Sequence, residues 1–386
     1  MRYLISLLLF IFLIFSFLQT KEETVIIIDE NHIVNIDLWK EDGGEITKKI
    51  DKYFKKLKRC RFNGNVLVAH KGKIIYENYY GYSDLKKKDT LNLNSVFQLA
   101  SVSKQFTAMA IMILKERELL NYSDTVQKFF PRFPYKNITV RQLLTHRSGL
   151  GNYLYFCSKY EDKISDIDNK KLIELMIDKK PAIYYRPNLK YDYNNTGYAI
   201  LASIVEKVSG IYFKDFIKKN IFDILNMEHS YLYEEDKMEE IAEITKGHHP
   251  SYGYAKPLIY DRILGDKGVF STIEDMFKWD RALYSNILVK KETIEEAFKP
   301  AKTKYRRERK YGFGFRIKEY NDSLKIAYHG GWWRGYTSLF MHIPETESSI
   351  VILANRVNRS FFSNYHELLE ILTDGSYKKN KKRKYI

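Results

Sequence analysis

The stretch that decides the fold of this chain is Phe-Gln-Leu-Ala-Ser-Val-Ser-Lys-Gln-Phe-Thr-Ala-Met-Ala-Ile-Met-Ile-Leu, residues 97–114. It predicts a loop that turns near Ser101 into a helix, and a helix that is apolar on most faces belongs inside a sizeable core. Ser101 and Lys104 are three residues apart, so both side chains project from one face of the first turn. The backbone N–H groups of that turn lack intrahelical acceptors and carry the positive end of the helix dipole. A nucleophile, an amine and an anion site therefore arise together, which is typical of an acylating serine.

The Ser-x-x-Lys pattern is weak by itself, because the chain repeats it at Ser83 and at Ser376, in a turn and in a basic tail. Two later motifs supply context. A Tyr-Asn-Asn triplet brings Tyr193 and Asn195 into a loop just before an amphipathic helix. Further on, a strand-like run leads into His-Gly-Gly-Trp-Trp at 329–333, and glycines beside a strand let another backbone or a ligand come close.

The composition suits a large globular protein. With 386 residues, 45% hydrophobic and 15% aromatic, the chain can bury a large core, as one catalytic unit of two subdomains or as two or three domains. The net charge is +16, and six of the basic residues lie in the tail over 374–386. No zinc-finger, helix-turn-helix or RNA-binding signature accompanies that tail, so no nucleic-acid partner is expected. No cluster has the spacing of metal ligands, so no metal is expected either.

The N-terminus predicts export. Met1 and Arg2 precede an apolar run over 3–18, whose length lies between a signal h-region and a full membrane span. We interpret 1–20 as an export signal that is either cleaved or retained as a membrane anchor, followed by a linker over 21–44. The protein would then be periplasmic, extracellular or anchored to the membrane by its N-terminus. Outside the cytoplasm Cys60 and Cys157 could form a disulfide, and two buried thiols are an equally open alternative.

The order of the elements predicts an α+β fold. A helix over 45–57 precedes a hairpin of two strands at 64–70 and 73–79. Helical patterns dominate from 121 to 267, and β patterns return at 313–317, 325–329, 336–343 and 349–354 before a closing helix over 360–372. We therefore expect an antiparallel sheet built from both chain ends, flanked by helices, with an inserted helical subdomain. The whole domain would cover 45–373.

Together, the motifs Ser-x-x-Lys, Tyr-x-Asn and His-x-Gly in this order and in a β–α–β layout resemble the serine β-lactamase-like superfamily. The similarity lies on the side of class C β-lactamases, D-amino-acid peptidases and related esterases. It extends over about 45–372 and includes Leu-Leu-Thr-His-Arg-Ser-Gly-Leu at 143–150. The resemblance implies a β-lactamase/transpeptidase-like fold and a serine hydrolase that needs no cofactor.

The resemblance also implies a role for each candidate residue. Ser101 would be the nucleophile, and Lys104 and Tyr193 would share the role of general base as a coupled amine and phenol. Asn195 would hold Lys104 and orient a substrate amide. His146 is expected to brace the loop of Tyr193 rather than to take part in the chemistry.

The predicted strand at 325–329 and the residues that follow it, up to 333, would complete the site. The backbone N–H groups of Ser101 and Trp332 would form the oxyanion hole, with Gly331 beside them on the substrate-binding edge. His329 would bind substrate where β-lactamases and penicillin-binding proteins usually carry Lys. Because histidine is mostly neutral at pH 7, we expect weak attraction for a substrate carboxylate unless Arg334 compensates. Short-chain esters or neutral amides would then be better substrates than penicillins.

Two classes of function remain open. The first is an exported serine hydrolase that acts through an acyl-enzyme on a small-molecule ester, an amide or a peptide of a D-residue. The second is a penicillin-binding sensor or a pseudo-enzyme on the same fold. A class C-like β-lactamase is an alternative within the first class.

Overall fold

The computed structural model describes residues 39–163, 166–238, 240–251, 253–301, 309–321, 324–357, 360–373 and 377. The proposed export signal, most of the linker and nearly all of the basic tail lie outside this part of the chain. Within it, no helix has both the length and the apolar character needed to cross a membrane.

Eleven strands occur in the described residues, and most belong to one sheet. They are β1 Gly64–His70, β2 Lys73–Tyr80, β3 Tyr82–Asp84, β4 Asp89–Thr90, β5 Phe97–Gln98, β6 Tyr231–Leu232, β7 Val269–Ser271, β8 Arg316–Asn321, β9 Leu324–Trp333, β10 Tyr336–Ile343 and β11 Ser348–Ala354. The main sheet has six antiparallel strands in the order β2-β1-β11-β10-β9-β8. A small sheet of order β5-β7-β6 leads into the Ser101 turn.

The helices fall into two groups around this sheet. They are α1 Glu45–Arg59, α2 Lys104–Glu116, α3 Val126–Phe129, α4 Val140–Leu144, α5 Tyr153–Phe156, α6 Asn169–Lys179, α7 Asn195–Ser209, α8 Phe213–Ile217, α9 Glu235–Met238, α10 Ile273–Ala282, α11 Lys291–Ala297 and α12 Ser360–Leu372. In the sequence, helices α3 to α9 come between the main-sheet strands of the N-terminal part and those of the C-terminal part. The helical patterns over 121–267 predict this arrangement. The expected fold class, a mixed helical and antiparallel structure, is confirmed.

Both chain ends meet in the middle of the sheet. Strand β11 pairs with β1 from Gly64 opposite Ala354 to Ala69 opposite Ser349, and with β10 on its other side. Every residue of β1 and β11 is buried, because side chains that alternate along a strand face two different cores. One core lies under α1 and α12, and the other encloses α2 and most of the remaining helices.

Helix α2 is the centre of the larger core. All of its side chains from Lys104 to Leu114 are buried, as its apolar sequence predicts. The ring of Phe106 packs 4.5 Å from that of Trp279 and 5.5 Å from that of Phe222. Burial of each large apolar side chain contributes about 1.5–3 kcal/mol, so this packing holds the first turn of the helix in place.

Two strand predictions are wrong at their ends. The strand expected at 313–317 starts only at Arg316, because the chain first turns at Gly314 with φ of 79°. A Cβ at Gly314 would lie 2.8 Å from the Cα of Gln105, so this turn also packs directly on α2. The strand expected to end at His329 continues to Trp333, since β9 stays paired with β10 up to Tyr336.

Candidate active site

Ser101 and Lys104 lie together at the start of α2. The turn Ala100–Ser103 is a 3-10 helix, and Lys104 begins the α-helix that follows. Its Nζ lies 3.1 Å from Ser101 Oγ. Ala100 has a φ of 49°, a left-handed conformation that is uncommon for a residue with a Cβ. Ser101 is partly exposed to the cleft, whereas Lys104 is 0% exposed.

The surroundings of Lys104 favour its neutral form. Burial lowers the pKa of Lys104 to about 7, Asp266 opposes this effect, and the Arg316 guanidinium adds to it. The amine donates a hydrogen bond of 2.7 Å to the backbone carbonyl of Asp266. The rings of Tyr193 and Tyr198 have their centroids 5.1 and 5.6 Å from Nζ. A large fraction of Lys104 can therefore accept a proton at neutral pH.

Tyr193 has a buried hydroxyl that has no hydrogen-bond partner among the described residues. Burial raises the pKa of Tyr193, and Ser101 and Arg316 only partly offset that rise. The phenol therefore keeps its proton at neutral pH, so of the two groups expected to share the role of general base, only Lys104 is ready to accept a proton. Tyr193 and Ser101 both line the same cleft, so the hydroxyl is available to a bound substrate.

The loop of Tyr193 is held on both sides by His146. The backbone N–H of Asp192 donates to the His146 carbonyl at 2.8 Å, and that of Asn194 donates to His146 Nδ1 at 3.1 Å. The two rings lie 4.4 Å apart. Burial and the nearby Lys104 charge keep the pKa of His146 well below its usual value, so the ring is neutral. This geometry agrees with the predicted bracing role.

Asn195 is the first residue of α7 and lines the cleft. Its Oδ1 is buried and accepts no hydrogen bond from the described residues. The contact to Lys104 that was expected from Asn195 comes instead from the backbone of Asp266. Sequence reasoning missed Asp266 because a backbone carbonyl can come from any residue type. Asn195 therefore lines the cleft with an acceptor oxygen that no described residue uses.

Gly331 and Trp332 bring strand β9 against the nucleophile turn. A Cβ at Gly331 would lie deep inside the van der Waals shell of the Leu99 carbonyl oxygen and 3.0 Å from Ala100 Cβ. Only glycine permits this approach. The next residue, Trp332, is 57% exposed at the cleft. The strand edge expected to bind substrate therefore lies directly beside Ser101.

His329 is not on the cleft surface, which corrects its predicted role as a substrate-binding residue. It is 0% exposed, and its ring bridges Tyr311 at 3.0 Å through Nε2 and the Gly330 carbonyl at 2.8 Å through Nδ1. Burial, Arg316 and Lys104 hold the pKa of His329 well below its usual value. The ring is neutral, as expected, but it is buried away from the cleft surface, where its two hydrogen bonds stabilise strand β9.

A cation in the cleft comes from Arg316, which the sequence motifs did not indicate. Its guanidinium carbon lies 5.0 Å from the centre of the Tyr193 ring. Arg316 is on β8, opposite Tyr328 of β9, so antiparallel pairing carries it next to the His329 region. The sequence could not predict this pairing of Arg316 with Tyr328. The register of two strands depends on where each begins, and the strand was expected over 313–317, so that it ended one residue after Arg316. Arg334, the residue expected to compensate, instead pairs with Asp261 and does not line the cleft.

The cleft around Ser101 has a volume of about 920 Å³. Four basic side chains line it and no described acidic side chain does: Arg309, Lys310, Arg316 and Lys318. Aromatic side chains form much of the remaining wall, namely Tyr155, Tyr193, Tyr328, Trp332, Trp333 and Tyr365. The described walls of the cleft are therefore basic and aromatic, and one of the four basic side chains, Lys310, is paired with Glu319. In the described residues, no group of three or more His, Cys, Asp or Glu side chains could hold a metal ion.

The chain belongs to the β-lactamase family, whose family model matches residues 50–373. It is 34% identical to penicillin-binding protein 4* of Bacillus subtilis over 316 residues, which cover 77% of this chain and 68% of the relative. It is 32% identical to the teichoic acid D-alanine hydrolase of Staphylococcus aureus over 235 residues, or 60% of this chain and 56% of the relative. The protein is therefore a serine hydrolase of this family.

Two solved structures show the same fold. The crystal structure of FmtA from Staphylococcus aureus matches with a TM-score of 0.73 and 25% identity, covering 92% of this chain and 99% of that one. A D-amino acid amidase from Ochrobactrum anthropi matches with a TM-score of 0.72 over 86% of this chain and 100% of that one. At 20% identity, the amidase supports the fold alone.

Proposed function

We propose that this protein is an exported hydrolase that forms an acyl-enzyme on Ser101 with an ester or amide of a D-residue. The observation that carries the proposal is the 3.1 Å approach of Lys104 Nζ to Ser101 Oγ. A buried amine whose pKa is lowered to about 7 can remove the hydroxyl proton at neutral pH. The apolar run over 3–18 supports export.

The proton transfers follow from the two pKa shifts. Lys104 in its neutral form takes the proton of Ser101 as Oγ attacks the substrate carbonyl. Tyr193 keeps its proton and delivers it to the leaving oxygen or nitrogen as that bond breaks. The backbone N–H groups of Ser101 and Trp332 stabilise the oxyanion, a contribution worth about 2.7–4 kcal/mol per donor in other enzymes. Water then attacks the acyl-enzyme carbonyl and gives a proton back to Tyr193. As the bond to Ser101 Oγ breaks, Lys104 returns its proton to that oxygen, so the acid leaves and the enzyme is restored.

The substrate class is proposed from the cleft and from the relatives. One relative is named for hydrolysing D-alanine of teichoic acid, and teichoic acids are phosphate-rich polymers. The basic residues of the cleft other than Lys310, which is paired with Glu319, suit an acyl group carried by such a polyanion. Because Arg316 supplies a cation that His329 does not, we replace the expectation of neutral substrates. A D-alanyl ester on an anionic carrier is the preferred substrate.

Intact-mass spectrometry tests the nucleophile. Wild-type protein incubated with a fluorophosphonate gains one covalent adduct, and Ser101→Ala protein gains none. Ser83→Ala is the matched control, because Ser83 begins the same Ser-x-x-Lys pattern but donates to the Asp89 carbonyl in a short surface hairpin. An adduct on Ser101→Ala protein would show that the nucleophile is another residue.

Substrate charge is tested with Arg316→Met. We expect kcat/KM for D-alanyl glycerol phosphate to fall at least about tenfold, as loss of one desolvated charge pair predicts. For uncharged D-alanyl glycerol it should change much less, provided that both substrates are compared at a pH above the pKa of Lys104, which Arg316 helps to lower. Arg132→Met removes an equally positive but exposed side chain and serves as the control. Equal losses for both substrates would contradict a role for Arg316 in charge selection.

A penicillin-binding sensor is the second candidate, because a curated relative at 34% identity is a penicillin-binding protein. The two functions differ in whether water removes the acyl group from Ser101. A sensor gives one equivalent of penicilloyl adduct that persists for hours without turnover of D-alanyl esters. Steady release of D-alanine after the first equivalent supports the hydrolase.

A further inference from the structure

A second buried lysine lies behind the active site, and the reaction described above does not use it. Asp266 and Lys267 precede β7 and are 1% and 2% exposed. The Asp266 carboxylate accepts a 3.0 Å hydrogen bond from the Tyr153 hydroxyl and lies 3.5 Å from Lys267 Nζ. Lys267 Nζ in turn donates to the Tyr153 hydroxyl at 2.7 Å. The three side chains form a closed triad.

The triad contacts the general base through its own backbone. The Asp266 carbonyl accepts the 2.7 Å hydrogen bond from Lys104 Nζ. On the other side, Lys267 Nζ lies 5.1 Å from the centre of the Trp333 ring, which lines the cleft. Tyr153 belongs to α5, whose neighbouring residues also line the cleft. The triad therefore contacts Lys104 on one side and a residue of the cleft wall on the other.

We propose that Asp266, Lys267 and Tyr153 are positioning residues that hold the Lys104 amine beside Ser101 and set the net charge that this amine experiences. The proposal rests on the proposed role of Lys104 as general base. Asp266 supplies a negative charge that acts on the amine, and Lys267 places an opposing positive charge 3.5 Å from that carboxylate. Tyr153 fixes the carboxylate so that the charge stays at one distance from Lys104.

The charged groups around the triad agree with this division of roles. The Lys104 amine faces one acid and several basic or neutral groups: Asp266, Arg316, Lys267, His146, His329, Tyr193 and Tyr198. Burial lowers the pKa of Lys267, which Asp266 and Asp261 oppose and Lys104 reinforces. Burial and the Asp266 charge raise the pKa of Tyr153 well above its usual value, so Tyr153 keeps the proton that it donates.

The test is the pH dependence of kcat/KM for a D-alanyl ester. Activity rises as Lys104 loses its proton, so the acid limb reports the pKa of that base. Asp266→Asn keeps the carbonyl contact and the shape but removes the negative charge. The proton on Lys104 is then held less tightly, and the acid limb moves to lower pH by on the order of one unit.

Lys267→Met has the opposite expected effect. It leaves the Asp266 charge unbalanced, so Lys104 holds its proton more tightly and the acid limb moves to higher pH. The double variant Asp266→Asn/Lys267→Met returns toward wild type. Lys278→Met is the control, because it removes another nearly buried lysine, paired with Asp275 at 3.1 Å, that does not line the cleft. It lowers stability without moving the limb.

Shifts of the two single variants in opposite directions support the proposal. An unmoved limb, or shifts in the same direction, would overturn it and leave the triad a purely structural ion pair. If Lys267→Met does not fold, Lys267→Gln removes the same charge and keeps a hydrogen-bond donor. Failure of wild-type protein to form an adduct at Ser101 would instead overturn the proposed function, so the two failures are distinguishable.

Discussion

Lys104 owes its chemistry to its lack of contact with water. An exposed lysine keeps its proton at neutral pH, but this one is fully enclosed between a helix, two tyrosine rings and a backbone carbonyl. The same burial that lowers its pKa to about 7 also costs free energy of folding, because the charged form is poorly solvated in the interior. Function and stability are therefore opposed at this residue.

Lys104→Met should abolish acylation and raise the free energy of unfolding at pH 7 by about 1–3 kcal/mol. The folded pKa lies below the usual 10.5, so the unfolded chain binds more protons between pH 7 and 10. Wild-type stability rises with pH in that window, and the advantage of Lys104→Met shrinks. Urea denaturation at pH 6, 7 and 9 measures this. A destabilised variant at pH 7 would contradict the cost assigned to burial.

His329→Lys should not create a binding site for a substrate carboxylate. The new ammonium group would be buried beside Arg316 and Lys104, and we expect the free energy of unfolding to fall by roughly 2–5 kcal/mol. Thermal melting and the kcat/KM ratio of anionic to neutral esters check this. His249→Lys, at an exposed residue, is the control. A stable variant with improved selection of anionic substrates would restore the original interpretation of this position.

Individual residues of the site differ in how far sequence could identify them. Ser101 and Lys104 are set by spacing within one helical turn, so a local pattern suffices. Arg316 and Asp266 reach the site only through strand pairing and a loop from elsewhere in the chain. No local pattern distinguishes such an arginine from a solvated one.

At the scale of elements, the site is a junction between the 3-10 turn Ala100–Ser103 and strand β9. Gly331 lets these two backbones touch, and the Ser338 hydroxyl donates a 2.6 Å hydrogen bond to the Leu99 carbonyl from the neighbouring strand β10. The distance between the nucleophile and the strand edge is therefore fixed by packing of backbone on backbone. If the two backbones move apart, rotation of side chains cannot restore the distance between the nucleophile and the strand edge.

Gly331→Ala tests this junction. The added methyl group must push β9 away from the turn, and a displacement of about 1 Å at a reacting group can cost on the order of a hundredfold in rate. We expect kcat/KM to fall by that amount, with about 1–3 kcal/mol lost from the free energy of unfolding. Gly253→Ala is the control, because a Cβ there meets nothing within 4 Å. An active Gly331→Ala enzyme would show that the junction tolerates separation.

Elements with strong local signals were predicted well. The hairpin of β1 and β2, strand β10 and helix α12 were expected within one residue of their observed bounds, because alternation, a Gly turn and helical periodicity mark them. The start of β8 was missed, since it depends on Gly314 packing against α2. Tertiary contacts of this kind override local propensity.

At the scale of the whole molecule, the sheet depends on both ends of the chain. Strand β11 lies between β1 and β10, and its side chains enter both cores. The cysteines do not reinforce this arrangement. The structure has no disulfide between Cys60 and Cys157, and the alternative of two buried thiols is right for Cys157 but wrong for Cys60, which is exposed.

Deletion of residues 348–386 should therefore prevent folding. It removes the strand between β1 and β10 together with α12, which covers one face of the sheet. We expect loss of a cooperative thermal transition and of near-ultraviolet circular dichroism. Deletion of 378–386 alone, which keeps the buried Tyr377, is the control and should retain both activity and the transition. A cooperative transition in the larger deletion would mean that the remaining strands close the sheet themselves.

The position of β11 also determines when the enzyme can become active. The pairing of Gly64 with Ala354 joins residues almost three hundred positions apart, and contacts of such sequence separation form slowly because a long loop must close first. A ribosome that adds 5–20 residues per second needs on the order of 15–60 seconds between these two residues. During that interval the nucleophile turn has been synthesised but its supporting sheet is incomplete. Hydrolysis therefore begins only after the last strand has emerged and β1, β11 and β10 have paired.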